Sequence, residues 1–410
     1  MRQPKLLPAL SALALLVAAV AVSSSAAPDR AVLVGRAILP AATFAPGPPS
    51  GQFIGAGPIN GINVPFTSQP VQGFSAVLPA EDGSFWVMPD NGYGAKNNSA
   101  DFLLRVYHVT PHFKTARGGD GSVSVGDFIQ LSDPDHKIPF ALTRPDRLLT
   151  GSDFDIESIR KVKDGTLWFG DEFGPFLLHT DATGKVLDAP VPTPGVQAPE
   201  NPFLLGAPNL PSSGGFEGMA MTQNGKTLYP MLEKAVAGDD PQVRRIFSFD
   251  ARTGTFNDQR WLYRLDPESV SIGDFTQLGG AHFLVIERDN NQGAAAHDKR
   301  IYEIDLHHLN PDGTVVKKLA VDLMNIADPN GLSLPGRPGD IGLGATFTFP
   351  YVTIEDVLPL GGNRLLVIND NNFPFSTGRN PALPDDEDFI IVRTNGLDDD
   401  GGDDQGDDQS

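Results

Sequence analysis

One pattern recurs five times along this chain. A small or acidic residue leads into an apolar stretch, a Gly-containing turn follows, and a hydrophobic strand then ends in acids or amides. The copies are GFSAVLPAEDGSFWVMPDN (73–91), FDIESIRKVKDGTLWFGDE (154–172), GFEGMAMTQNGKTLYPMLEK (215–234), SIGDFTQLGGAHFLVIERDN (271–290) and TIEDVLPLGGNRLLVINDNN (353–372). Their turns are Asp82-Gly83, Asp164-Gly165, Asn224-Gly225, Gly279-Gly280 and Gly361-Gly362, residue pairs that accept the left-handed backbone of tight hairpins. After each copy comes a further strand: 101–110, 175–187, 244–256, 299–309 and 388–394. Several of these run through an Asp toward another Gly turn, so a unit supplies about four antiparallel strands. Units of this kind in series predict an all-β fold, a β-propeller of five or six four-stranded blades. The copies are unevenly spaced, which leaves room for an extra, degenerate blade near 118–150. Closure is expected between 388–394 and a strand within 31–44. A two-sheet sandwich is the rival architecture, but it gives no reason for five in-phase copies.

Strand direction locates the functional end. In each hairpin the first strand runs away from one face and the second returns to it. The Gly turns therefore share one face, while the starts of first strands and the ends of second strands share the other. The connections on that second face are long and polar, as in DNGYGAKNNSAD, ERDNNQGAAAHDKR and DNNFPFSTGRNPALPDDED. Elaborate loops on a regular scaffold mark a functional surface.

Acids converge there. Second strands end in Asp90-Asn91, Asp171-Glu172, Glu233-Lys234, Glu287-Arg288 and Asp370-Asn371, and first strands open with Asp155, Glu157, Glu217, Asp274 and Glu355-Asp356. Carboxylates gathered around a channel repel unless protons, cationic side chains or a metal neutralise them. Oxygen donors without cysteine favour a hard cation such as Ca²⁺. Asp90, Asn91, Glu157, Glu233, Glu287, Asp370 and Asn371 are the candidate metal ligands, and Asp171, Glu172 and Glu217 the candidate catalytic residues. Lys96, Lys234, Arg288 and Arg379 lie in the same loops and suit a phosphate or carboxylate group of a substrate. The competing reading is that each acid caps a turn in solvent. No nucleophile elbow, paired-His metal motif or phosphate loop is present.

Charge narrows the partners. The formal net charge is −20, and removing the two leader cations and seven tail aspartates leaves the body at −15. An acidic body argues against nucleic acid. The chain has no cysteine, which excludes disulfides, thiol catalysis and Cys-held zinc. Arg2 and Lys5 precede an apolar run and the small residues Ser23–Ala27, the pattern of a cleaved secretory signal over 1–27. A mature domain over 31–394 is then expected, secreted or periplasmic, monomeric, off the membrane after cleavage, with a disordered acidic tail at 397–410.

Taken together, GFSAV with MPDNGYG, DIES with GDEFGP, GFEGMA, ERDNNQG with KRIYEIDL, and NDNNF resemble the phytase-like family, described by an esterase-like activity of phytase. The likeness spans roughly 36–394, and it departs at TIED, where members commonly read NIEG. It implies a propeller with phosphoesterase activity in which calcium bridges carboxylates and substrate phosphate. The expected function is thus an exported calcium-dependent phosphoesterase acting on a small phosphorylated or ester substrate. The alternatives are a calcium-dependent lactonase or carboxylic esterase on the same scaffold, or a non-catalytic extracellular binding propeller.

Overall fold

The computed structural model describes Met1 and residues 30–397, so the expected leader and acidic tail fall outside the described residues apart from Met1 and Leu397. The described chain is all-β, with two short 3-10 turns and no α-helix. Each sequence copy forms the first hairpin of a four-stranded antiparallel unit. Unit 1 contains Phe74–Pro79, Phe85–Pro89, Arg105–His112 and Ser122–Gln130. Unit 2 contains Ile156–Lys161, Leu167–Asp171, Phe176–Thr180 and Val191–Pro192. Unit 3 contains Phe216–Met221, Thr227–Leu232, Val243–Asp250 and Thr255–Arg264, and unit 4 contains Ser271–Gly279, His282–Arg288, Lys299–Leu309 and Val315–Asp322. Unit 5 takes Asp356–Gly361, Arg364–Ile368 and Glu387–Arg393 from the C-terminal part of the chain and Val32–Leu39 from the N-terminal part.

That last pairing is the expected closure. It is antiparallel and runs from Val32 opposite Arg393 to Leu39 opposite Glu387. The first strands touch in cyclic order, unit 1 on 2, 2 on 3, 3 on 4, 4 on 5 and 5 on 1. Each joint has its own apolar core. Met88, Ile156 and Phe169 pack between units 1 and 2, and Leu177, Phe216 and Phe249 between units 2 and 3. Ile246, Phe275 and Val285 fill the third joint, Ile286, Val357 and Val367 the fourth, and Phe74, Leu366 and Phe389 the one that closes the ring. A β-propeller buries its apolar surface between sheets in this way. The stretch 118–150 forms no extra blade; it gives the outer strand Ser122–Gln130 and continues through turns and single bridges.

The ladder also contains an irregularity that the sequence pattern does not show. The first strands of units 1 to 4 share a register shift at the corresponding place: between Phe74 and Ala76, Ile156 and Ser158, Phe216 and Gly218, and Ile272 and Asp274, with a second shift in unit 4 between Gln277 and Gly279. The bulged residues are Ser75, Glu157, Glu217 and Gly273, and Glu355 holds the corresponding place just ahead of the first strand of unit 5. A bulge leaves one residue unpaired and re-aims its side chain.

Candidate functional site

Two tiers of polar residues meet at the acid-rich end of the ring. The bulge tier is Ser75, Glu157, Glu217, Gly273 and Glu355, one from each unit. The second tier comes from the residues just beyond or at the ends of the second strands. Backbone pairing sets it unambiguously: Asp90 N–H donates to Gly73 O, Glu172 N–H to Asp155 O and Glu233 N–H to Gly215 O. Ser271 faces Arg288, and the Thr353 hydroxyl donates to Asp370 O. The tier is therefore Asp90, Glu172, Glu233, Arg288 and Asp370. With Asp155, these tiers bring eight carboxyl groups together around one arginine, and Lys234 adds a second cation from the rim.

Among the described residues, two groups of three acids place carboxylate oxygens within 4.8 Å of one another: Asp90, Asp155 and Glu157, and Glu172, Glu217 and Glu233. The second group is partly compensated. Arg288 lies 3.2 Å from Glu233 and 3.6 Å from both Glu217 and Glu355, and Lys234 pairs with Glu233. The first group has no lysine or arginine partner among the described residues. Asp155 instead accepts a hydrogen bond from Ser213 at 2.6 Å.

Burial and mutual repulsion raise these carboxyls. Burial pushes Asp90 and Glu157 well above the usual range, and Asp370, Asp155 and Glu355 add to it. Burial likewise raises Glu172 and Glu217 against the pull of Lys234, joined at Glu217 by Arg288. Burial pushes Glu355 up to about 8, with Asp370 contributing, and pushes Asp370 up to about 6. The Ser75 hydroxyl donates to Glu355 Oε2 at 2.9 Å.

The donor set fits a hard divalent cation. Asp155 Oδ1, Glu172 Oε1 and Glu217 Oε1 are buried with no hydrogen-bond partner. A calcium ion takes carboxylate oxygens at about 2.3–2.6 Å, so its ligands stand up to about 5 Å apart, as they do here. Gly73, at φ +75°, keeps space open: a Cβ there would lie 3.1 Å from Asp90 Oδ1 and 3.5 Å from Asp370 Oδ1. Below the tiers Arg160 closes the channel. Its guanidinium donates to Ile159 O and Phe275 O and lies 3.8 Å from Asp274.

Of the residues expected from sequence, Asp90, Glu157, Glu172, Glu217, Glu233, Asp370, Lys234 and Arg288 are brought together. Others stand apart. Asp171 turns to the opposite side of its strand and accepts the Asp155 and Gly174 N–H groups, so it is a turn cap. Asn91 Oδ1 accepts the Tyr93 and Gly94 N–H groups, and Asn371 Oδ1 those of Gly73 and Phe373. Glu287 points outward to Tyr263, Lys317 and the Asp266 N–H. Arg379 is buried beside Asp388 and Tyr351 near the closure strand. Lys96 donates to Glu200 O at 3.3 Å and lies 5.5 Å above the Phe173 ring, outside the acid tiers. Asp155 and Glu355, strand-start acids outside the expected ligand set, also join the site, as does Ser75, a polar residue inside the first strand of unit 1.

A cavity of about 830 Å³ opens on the Gly-turn face and includes Ser84, Trp86 and His108. Ser84 Oγ is 2.8 Å from His108 Nε2, and His108 Nδ1 is 3.6 Å from Asp127. This superficially resembles a hydrolase triad, but it is a blade device. Ser84 already donates its proton to Glu81 O at 2.7 Å. Unit 2 repeats the arrangement at the same register: Thr166, His179 and Asp188, with Trp168 stacked on His179 at 4.2 Å.

A profile of the phytase-like family, described as "Esterase-like activity of phytase", matches residues 69–373. An "Uncharacterized secreted protein" of the fungus Arthroderma benhamiae is 27% identical; the match covers 35% of this chain and 35% of that protein. Among solved structures, a GH43 β-1,3-galactosidase is 7% identical with a TM-score of 0.45, over 85% of this chain and 60% of that one. The Dos1 propeller is 10% identical with a TM-score of 0.32, over 81% and 69%. A PQQ-bound aldose sugar dehydrogenase from Streptomyces coelicolor is 12% identical with a TM-score of 0.35, over 79% and 95%.

Proposed function

The chain belongs to the phytase-like family, and from that premise we propose that it is an exported, calcium-dependent phosphoesterase acting on a small phosphorylated compound at the acid-rich end of the propeller. One observation carries this reading: eight carboxyl groups converge on two cationic side chains, and the group with no cation partner is Asp90, Asp155 and Glu157. Those three would hold Ca²⁺, which when bound neutralises substrate phosphate and sharpens a water for attack. The chain's own groups do the rest. Arg288 and Lys234 sit beside the second group and orient the anion. Glu355, raised to about 8 by burial and its acidic neighbours, holds a proton at neutral pH. Its Oε2 takes the Ser75 hydroxyl, which fixes the carboxyl so that its proton can pass to a leaving oxygen. Arg160 seals the floor of the site. Export is supported by the leader pattern and by the fungal relative, which is described as secreted.

The test is a panel of phosphomonoesters, phosphodiesters, lactones and carboxylic esters assayed with Ca²⁺ and with EDTA. A phosphate ester turned over only with Ca²⁺, and at least about a hundredfold more slowly by Glu157→Gln, is the expected result. Turnover confined to lactones or carboxylic esters would replace the phosphoesterase reading. Calcium binding without turnover of any class would make the protein a binding propeller.

A further inference from the structure

A second cavity, about 510 Å³, opens on the Gly-turn face between units 3 and 4. It lies at the opposite end of the hairpins from the acid tiers. In a chain of net charge −20, no acid, lysine or arginine lines it. Its wall is aromatic. Tyr229 meets the rings of Trp261 and Phe283 edge-on, at 5.3 and 5.6 Å. Trp261 is held in place by donating Nε1–H to Leu306 O at 2.9 Å. The rim is built from neutral amides. Gln223 and Gln259 are exposed, and neither side chain is hydrogen-bonded within the described protein. Asn224 spends its Oδ1 on the Lys226 N–H and the Thr222 hydroxyl, which leaves its amide N–H groups free. Gln277 donates to Gly280 O at 3.1 Å, which leaves its Oε1 as an acceptor.

We propose that this cavity is a binding site for a neutral carbohydrate. The chemistry of the lining selects that class. A sugar ring offers an apolar C–H face to an aromatic wall and hydroxyls that both donate and accept. Side-chain amides, which also carry both functions, match those hydroxyls. A phosphorylated or carboxylated ligand would find no lysine or arginine here, and His307 is the one titratable side chain in the lining besides Tyr229, so the site is distinct in chemistry from the one at the acid-rich end.

The experiment titrates neutral α- and β-linked gluco- and galacto-oligosaccharides into the full chain, followed by tryptophan fluorescence and calorimetry, with Ca²⁺ and with EDTA. At least one oligosaccharide is expected to bind equally well under both conditions. Binding should weaken at least tenfold in Gln223→Ala/Gln259→Ala, two exposed substitutions that leave the core intact, and also in Tyr229→Leu. The same saccharide carrying a phosphate should bind more weakly. No binding across the panel, or binding that both variants retain in full, would overturn the proposal. Binding abolished by EDTA would place the sugar at the acid-rich end instead.

Discussion

Glu172 follows Asp171 directly, yet the two side chains point to opposite sides of one strand. Glu172 carries an unpartnered oxygen into the acid tiers, whereas Asp171 accepts two backbone N–H groups. The two residues should therefore separate in experiment. Asp171→Asn turns one acceptor into a donor facing an N–H, and urea unfolding should show a loss of about 1–3 kcal/mol with the calcium response retained. Glu172 borders the proposed calcium group, since Asp155 is the acid that raises its carboxyl most after burial, so Glu172→Gln should keep the fold and weaken both calcium binding and turnover. If the calcium response falls in Asp171→Asn and not in Glu172→Gln, it is Asp171 and not Glu172 that faces the ion. Gly73 gives a complementary test. At φ +75° a Cβ is strained, and it would stand 3.1 Å from Asp90 Oδ1. Gly73→Ala should cost about 1 kcal/mol of stability or more and weaken calcium binding beyond that loss, as read by calcium titration of the folded variant.

At the scale of the element, the bulge explains both what the sequence reveals and what it hides. The five-fold repeat was legible because turn residues and hydrophobic alternation leave a periodic trace. The exact register was not. Asp90 and Glu172 lie seven residues after Gly83 and Gly165, whereas Glu233, Arg288 and Asp370 lie eight after Gly225, Gly280 and Gly362. A one-residue difference in the turn exchanges the two faces of a strand, which is why Glu287, seven residues after Gly280, faces away while Arg288 joins the tier. A bulge has no composition of its own, but a signal existed: DIES, FEGM and TIED all place Glu directly after an apolar residue. The recurrent Trp–His–hydroxyl–Asp chain leaves no trace in the sequence because its members lie on different strands and meet only when the sheet forms.

The closing element invites its own prediction. Arg36 on the N-terminal strand binds Asp388 on the last strand through two guanidinium nitrogens, at 2.9 and 2.8 Å. Burial pushes Asp388 up, but Arg36 and Arg379 outweigh it and hold the carboxyl below the usual range. Asp388→Asn leaves two buried arginines short of a counter-charge. It should cost about 3–5 kcal/mol in denaturant unfolding and open the Val32–Leu39 pairing first, which hydrogen exchange would detect as early loss of protection on that strand.

For the whole molecule, the proposed calcium site would make stability depend on protons and calcium together. A carboxyl whose folded pKa lies above its unfolded value contributes stability that is complete below the unfolded pKa and is lost as pH rises through the folded one. For Glu355 that window runs from 4.5 to about 8, and for Asp370 from 3.8 to about 6, both through burial first. Asp90, Glu157, Glu172 and Glu217 shift in the same direction. Without calcium the protein should therefore be most stable near pH 4–5 and lose melting temperature steadily toward pH 8. Calcium held by these carboxylates would compete with the same protons, so its binding would release them and strengthen as pH rises. The melting temperature in EDTA should fall from pH 5 to 8, the curve in millimolar Ca²⁺ should stay level, and the gap between them should widen with pH. A saturating ion at a hundred times its Kd adds about 2.7 kcal/mol, a shift that scanning calorimetry resolves. Glu157→Gln should narrow the gap at pH 8 by removing a calcium ligand, and should flatten the EDTA curve by removing a raised carboxyl. If the two curves stay parallel at every pH, protons and calcium do not share these oxygens, and the acids at the end of the propeller serve the fold alone.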